Sequence, residues 1–196
     1  MNLSPARAVR LAPETMALPL LAARRARNVA IAALDGVRNE AHQLVPVVAG
    51  GNDMPLLEAA YALGYRPIPT RSELGAGFLA NGIAWESRQP TLCLVITSVG
   101  VYGLMQALHA AFVNRRPVVV ISGEVSAIGC GSVQAGEGWD GPSVTQATRA
   151  LTAWSFDATT PELVVRALRR GVALAQASQR PVHINIPLAV QRSDAP

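Results

Sequence analysis

Long apolar stretches without polar alternation are the feature that most restricts the fold of this 196-residue chain. The segments "TLCLVITS" (91–98) and "PVVVISG" (117–123) are continuous and of strand length, and "RPVHINIP" (180–187) resembles them. A strand with one solvated face alternates polar and apolar residues, whereas a strand of a parallel sheet is covered on both faces and does not alternate. These segments therefore predict a parallel sheet that is buried on both faces.

Amphipathic helical patterns separate these strands, as the crossovers of a parallel sheet require. The spacing of apolar residues predicts helices at 54–64, 73–88, 103–115 and 160–178. The last of these has Thr160 as N-cap and Pro161 at its first helical position. A further strand is predicted at 42–51, followed after the first helix by a short strand-like connector at 65–70. The predicted fold class is α/β, a doubly wound parallel sheet with helices on both faces.

The chain is predicted to have three parts. They are a helical N-terminal extension (1–39), the α/β domain (40–190) and a tail (191–196). Within the domain, the segment "IGCGSVQAGEGWDG" (128–141) is long and rich in glycine. Loops of this kind in α/β proteins usually serve a site, so we interpret this one as functional.

Composition excludes several classes of function. All basic residues are Arg, the net charge is only +4 and aromatics make up 5% of the chain, whereas nucleic-acid binders concentrate basic and aromatic residues. No apolar run is long enough to span a membrane, and the N-terminus lacks the pattern of a secretory signal. We therefore expect a cytoplasmic protein that binds neither nucleic acid nor membranes. Cys93 and Cys130 have no CxxC partner, which favours buried free thiols over a metal site or a disulfide.

Glu73 is the only acid among the small and apolar residues that open the predicted helix 73–88. An acid in the first turn is favoured by the helix dipole, so the position by itself needs no catalytic role. The alternative is an acid tuned for chemistry in a partly dry site. Ligands of parallel α/β sheets bind at the carboxyl ends of the strands, which here means the loops 49–53, 97–103 and 128–141. The three histidines are interpreted as hydrogen-bonded structural residues and not as bases: His42, His109 and His183.

The stretch from Arg71 to Gly123 resembles, without a gap, the pyrimidine-binding domain of thiamine-diphosphate-dependent enzymes, the acetolactate synthase group in particular. The resemblance rests on the glutamate followed by small residues (73–77), on the turn "TSVG" (97–100) and on the strand "PVVVISG". The flanking segment "VVAGGNDMPLLEAA" (47–60) is similar to the first loop and helix of that family.

The resemblance implies a role for Glu73. The corresponding glutamate of the family hydrogen-bonds a ring nitrogen of the cofactor's aminopyrimidine and thereby activates thiamine diphosphate. Four residues are also implied in cofactor binding: Ala49, Gly50, Ser98 and Gly100. Two are implied on the substrate side, Ser72 in place of a family histidine and Gln134 in the glycine-rich loop.

The family holds the diphosphate of the cofactor in a second domain, through Mg²⁺ and a Gly-Asp-Gly motif. Asp35-Gly36 and Asp140-Gly141 lack the preceding glycine. The resemblance thus implies a split enzyme in which a partner subunit binds the diphosphate and Mg²⁺, assembled as a dimer of heterodimers. The expected reaction is decarboxylation of a 2-oxo acid followed by carboligation. Alternatives are a split decarboxylase that releases an aldehyde, similar to two-subunit sulfopyruvate decarboxylases, a non-catalytic scaffold or regulatory subunit, and a domain excised from a longer enzyme.

Overall fold

The computed structural model of the chain describes residues 28–96, 98–125 and 143–196. The described elements, in chain order, are α1 (Val29–Asp35), β1 (Leu44–Val47), α2 (Met54–Ala62), β2 (Arg66–Pro69), α3 (Glu73–Ser87), β3 (Thr91–Ile96), α4 (Val99–Gly103), α5 (Met105–Val113), β4 (Val118–Glu124), α6 (Val144–Thr148), a 3₁₀ turn (Arg149–Leu151), β5 (Trp154–Asp157), α7 (Pro161–Ser178), β6 (Val182–Pro187) and α8 (Leu188–Arg192). None of these helices is both long and apolar enough to cross a membrane.

The described strands form one parallel sheet of six strands in the order β2-β1-β3-β4-β6-β5. β3 and β4 pair along their length, from Thr91 opposite Val118 to Ile96 opposite Gly123. From β1 the chain first adds β2 on one side and then crosses to β3 on the other, so the winding reverses between β1 and β3. The predicted doubly wound α/β fold is confirmed, and this reversal is where such sheets bind ligands.

Both faces of the sheet are covered by helices. Leu92 and Leu94 of β3 belong to the cluster that also includes buried residues of α1, α2 and α7. The intervening Cys93 and Val95 belong to the cluster that includes α3 and α5. Successive side chains of a strand point to opposite faces, so a strand between two helical layers is apolar at every position. Burial raises the pKa of the Cys93 thiol to about 12.

Two predicted helices begin where their caps indicate. Ser72 caps α3 by accepting the N–H of Gly75 at 3.2 Å. Thr160 caps α7 in the same way, and Pro161 is the first residue of that helix. The prediction at 103–115 is wrong at its N-terminal end, because the helical segment begins at Val99 and is divided at Leu104 into α4 and α5. The glycines of α4 have low helix propensity and hide this helix in the sequence pattern.

The sequence pattern does not predict β5, α6 or α8. β5 is a four-residue edge strand in which polar residues alternate with Trp154 and Phe156. The predicted connector 65–70 contains the opposite edge strand, β2. In the segment predicted as an N-terminal extension, α1 is buried in the core, and Tyr65 Oη donates a hydrogen bond to the Leu34 carbonyl at 3.1 Å. The domain boundaries stay a prediction, and the loop 128–141, with Cys130 and Gln134, lies outside the described residues.

Candidate functional site

Glu73 is the first residue of α3, and its side chain is half-buried. The first turn of a helix carries unpaired backbone N–H groups, and the helix dipole favours a negative charge there. Within the described part of the chain, the Glu73 carboxylate takes part in no hydrogen bond and no ion pair. It is therefore available to a ligand.

Two glycines of α4 allow that helix to lie against Glu73. A Cβ added at Gly103 would be 3.3 Å from Glu73 Cβ and 3.4 Å from its Oε2. A Cβ added at Gly100 would be 3.7 Å from Glu73 Cγ. Because neither residue has a side chain, the Glu73 side chain rests against the backbone of α4. The sequence analysis did not assign Gly103 to the site, because its contact with Glu73 comes from the packing of α4 on α3.

The loops that follow β1 and β3 meet beside this carboxylate. Ile96, the last residue of β3, contacts both loops: a Cβ at Gly50 would overlap Ile96 Cγ2, and a Cβ at Gly100 would lie 3.0 Å from Ile96 Cγ1. Of the predicted cofactor-binding residues, Gly50 and Gly100 therefore lie at the same edge of the sheet as Glu73. Ala49, next to Gly50, is exposed there.

Ser98 is fully buried in the turn between β3 and α4. Its backbone angles are φ 49° and ψ −102°, which are unfavourable for a residue other than glycine and must be held by the surrounding structure. Its Oγ accepts the N–H of Val99 at 2.6 Å. The hydroxyl thus shapes the turn, and its predicted contact with a cofactor stays a prediction. Ser72 is exposed beside Glu73, while Gln134 lies outside the described residues.

Asp53 is a buried acid at this edge that the sequence analysis did not single out. Its Oδ1 accepts the N–H of Gly50 at 2.8 Å, which closes the turn after β1. Its Oδ2 is buried without a hydrogen-bond partner among the described residues, and burial raises the pKa of Asp53 from 3.8 to about 6. The sequence could have indicated Asp53, because an Asp placed directly before a helix with an early proline, as in Asp53-Met54-Pro55, is a typical turn residue whose side chain bonds nearby backbone.

Two of the three histidines, His42 and His183, are hydrogen-bonded as the sequence analysis expected. His183 is fully buried; its Nε2 lies 2.9 Å from Ser122 Oγ and its Nδ1 lies 2.8 Å from Thr148 Oγ1. Burial lowers the pKa of His183 to about 3, so the ring is neutral at pH 7. His42 accepts the N–H of Leu44 at 3.1 Å. His109 is different, since it is exposed on α5 without a hydrogen bond among the described residues.

Known proteins share this domain. Residues 27–148 match the family described as thiamine pyrophosphate enzyme, N-terminal TPP binding domain. The chain is 36% identical over 148 residues to the probable 2-ketoarginine decarboxylase AruI of Pseudomonas aeruginosa, which covers 73% of this chain and 26% of that protein. It is 29% identical over 143 residues to the acetolactate synthase isozyme 2 large subunit of Escherichia coli, covering 72% and 25% respectively.

Solved structures of other proteins share the fold of this chain. The thiamine diphosphate-dependent 4-hydroxybenzoylformate decarboxylase of Rhodococcus jostii RHA1 superposes with a TM-score of 0.77 at 20% identity, over 86% of this chain and 32% of that one. The chain thus spans about a quarter of the length of the curated relatives it matches and about a third of that solved chain.

Proposed function

Because this chain belongs to the thiamine pyrophosphate enzyme family, as its N-terminal TPP binding domain, we propose that it supplies Glu73 to thiamine diphosphate in an enzyme that decarboxylates a 2-oxo acid. The observation that carries this proposal is the half-buried carboxylate of Glu73, which lies against Gly100 and Gly103 and has no partner among the residues that the structure describes. It lies at the reversal between β1 and β3, where doubly wound sheets bind ligands. The cofactor supplies the electron sink for the loss of carbon dioxide.

The residues at this edge fit the aminopyrimidine end of the cofactor. Gly103 is exposed beside the carboxylate, and its lack of a side chain leaves room for a flat ring next to Glu73. Glu73 would orient the ring by sharing a proton with one of its nitrogens. A carboxylate in a partly dry site suits that role, because water competes less for the hydrogen bond.

We propose further that a separate subunit holds the diphosphate and Mg²⁺, in a hetero-oligomer. Support comes from large apolar side chains that are exposed near Glu73, on the first turns of α3 and on α4. Their exposed fractions are 49% for Phe78, 49% for Val99 and 45% for Tyr102. Apolar side chains gathered on neighbouring helices favour contact with a partner.

Two reactions share the loss of carbon dioxide, and they differ in the step that follows. Release of an aldehyde is favoured by the identity of 36% to a protein named as a probable decarboxylase. Carboligation to a second carbonyl is favoured by the match to acetolactate synthase large subunits at 31% and 29% identity. Product analysis with a panel of 2-oxo acids separates them, because only carboligation forms a new carbon–carbon bond.

The first test of the proposal is a calorimetric titration with thiamine diphosphate and Mg²⁺. It compares the chain alone with the chain mixed with the product of a neighbouring reading frame that contains Gly-Asp-Gly. We expect binding only in the mixture. Tight binding to the chain alone would overturn the separate subunit while leaving Glu73 as the cofactor contact.

The second test concerns Glu73 itself. Glu73→Gln should lower the activity of the reconstituted enzyme by orders of magnitude, because the amide cannot share the proton. Glu86→Gln is the matched control, since Glu86 is exposed on the same helix, far from the site. Full activity of Glu73→Gln would instead support a scaffold or regulatory subunit.

A further inference from the structure

A cavity that contains no residue of the proposed cofactor site lies at the β5 edge of the sheet. Its volume is about 300 Å³, and it opens between β5 and α7, on the face opposite the one that α3 covers. The residues that line it are Trp154, Phe156, Leu163, Arg166, Ala167 and Arg170. This volume is at the lower end of the range for small-molecule sites.

One wall of the cavity is aromatic. Trp154 and Phe156 are two residues apart in β5, so their side chains are on the same face of the sheet. Their ring centroids are 4.9 Å apart with an interplanar angle of 20°, which makes a stacked pair. Both residues are half-buried, and their rings pack on the core cluster beneath α7. The pair thus offers a fixed aromatic surface to the cavity.

The adjoining wall is cationic. Arg166 and Arg170 are exposed and four residues apart on α7, so their side chains are neighbours on the helix surface. The Arg170 guanidinium carbon lies 4.9 Å from the centroid of the Trp154 ring. Cation and ring therefore already share one surface, as they would around a ligand that is both flat and negatively charged.

The carboxylates near the cavity accept hydrogen bonds from residues other than its two arginines. The two carboxylate oxygens of Asp157 accept hydrogen bonds from Thr145 at 2.6 Å and from Asn185 at 3.0 Å. Glu162, one turn before Arg166, accepts a hydrogen bond from Thr160 at 3.1 Å. Neither arginine of the cavity forms an ion pair with any residue that the structure describes. The positive charge at the mouth of the cavity is thus left for another anion.

We propose that this cavity binds a planar aromatic carboxylate. The ring would lie against the Trp154–Phe156 pair, and the carboxylate would pair with the guanidinium groups of Arg166 and Arg170. Arg suits this role because its planar fork of N–H groups matches the two oxygens of a carboxylate. No residue of this cavity belongs to the proposed cofactor site, so the binding of such an anion is independent of the role of Glu73.

The test uses the full 196-residue chain and 2-naphthoate as the probe, titrated by calorimetry at low ionic strength. Its neutral counterpart, 2-naphthalenemethanol, has the same rings without the charge. Arg166→Gln and Arg170→Gln each remove one cation from an exposed position, so both variants should fold. Arg66→Gln is the matched control, because Arg66 is exposed on β2 at the opposite edge of the sheet.

We expect 2-naphthoate to bind the unmodified chain and the Arg66→Gln control equally. Each cavity variant should bind about fivefold more weakly, and binding should weaken as salt is added. Three results would overturn the proposal: equal binding of 2-naphthalenemethanol, an equal loss in the Arg66→Gln control, or no heat of binding up to about 1 mM 2-naphthoate.

Discussion

Gly77 of α3 is packed so closely on α5 that an added methyl group has no room. A Cβ at Gly77 would lie 2.5 Å from Ala107 Cβ, whereas apolar carbons in contact are about 3.5–4.0 Å apart. Gly77→Ala would therefore push the two helices apart by about 1 Å at this point. Asn81 Nδ2 donates to the Ala107 carbonyl at 2.9 Å, so this separation also strains the hydrogen bond that joins the helices.

The expected change in stability follows from three contributions. Overpacking of a close contact costs about 1–3 kcal/mol. Weakening of the Asn81 hydrogen bond adds about 1 kcal/mol. Replacing glycine by alanine within a helix returns about 0.5–1 kcal/mol. Gly77→Ala should therefore lower the free energy of unfolding by about 1–3.5 kcal/mol.

Gly82 provides the matched control within the same helix. A Cβ added there has no atom within 4 Å, so Gly82→Ala should raise the free energy of unfolding by the helix contribution alone, about 0.5–1 kcal/mol. Urea unfolding of the two variants, monitored by circular dichroism, measures both values. Changes of the same sign in both variants would refute the close packing of α3 on α5.

A double mutant tests the contact more directly. Adding Ala107→Gly to Gly77→Ala moves the methyl group from one helix to the other and restores the spacing. The double mutant should then be more stable than the sum of the two single changes by at least about 1 kcal/mol. If the effects of the two changes on stability were strictly additive, the loss in Gly77→Ala would not come from its contact with Ala107.

Three further predictions concern the site and its buried groups. Gly103→Ala should weaken binding of thiamine diphosphate to the reconstituted enzyme by about tenfold in calorimetry, because the new Cβ crowds Glu73, with little change in stability. Asp53 has a folded pKa of about 6 against 3.8, so the folded state holds the proton more tightly and loses stability as pH rises through this window. The stability of Asp53→Asn relative to the unmodified chain should therefore grow between pH 4 and 6 by up to about 3 kcal/mol in urea unfolding; a constant difference would contradict this. His183, with a folded pKa of about 3 against 6.5, should cost stability as pH falls below 6.5, and His183→Asn should flatten that loss in the same assay.

The sequence predicts the elements whose signals are local. β3 and β4 are predominantly apolar strands, and their burial on both faces follows from that pattern. β6 alternates apolar residues with His183 and Asn185, yet it too is buried at every position. α3 and α7 begin at the residues that follow their caps, Ser72 and Thr160. β5 has only four residues, in which Ser155 and Asp157 alternate with aromatics, and such a segment is too short to separate from a loop by pattern.

The parts that the sequence does not predict depend on contacts between distant residues. α4 is a helix of five residues that includes Gly100 and Gly103, so its local propensity is poor. Its glycines are explained by contacts with distant residues, since Gly103 lies against Glu73 and Gly100 lies against Ile96 and Glu73. Asp53 likewise gains its raised pKa from burial under the fold and not from its neighbours in sequence. Resemblance to a family indicated Glu73 and Gly100, but it did not indicate Gly103 or Asp53.

The packing of α3 also links the stability of the domain to its proposed chemistry. Gly77 sets how closely α3 approaches α5, and Glu73 lies one turn earlier on the same helix, against α4. A shift of about 1 Å at Gly77 would move Glu73 relative to Gly103 by a similar amount, since a helix turn is rigid on this scale. Gly77→Ala should thus weaken cofactor binding as well as folding, whereas Gly82→Ala should stabilise the domain and leave binding unchanged. If Gly77→Ala lost stability but bound the cofactor normally, Glu73 would be positioned by its cap at Ser72 and not by the contact between α3 and α5.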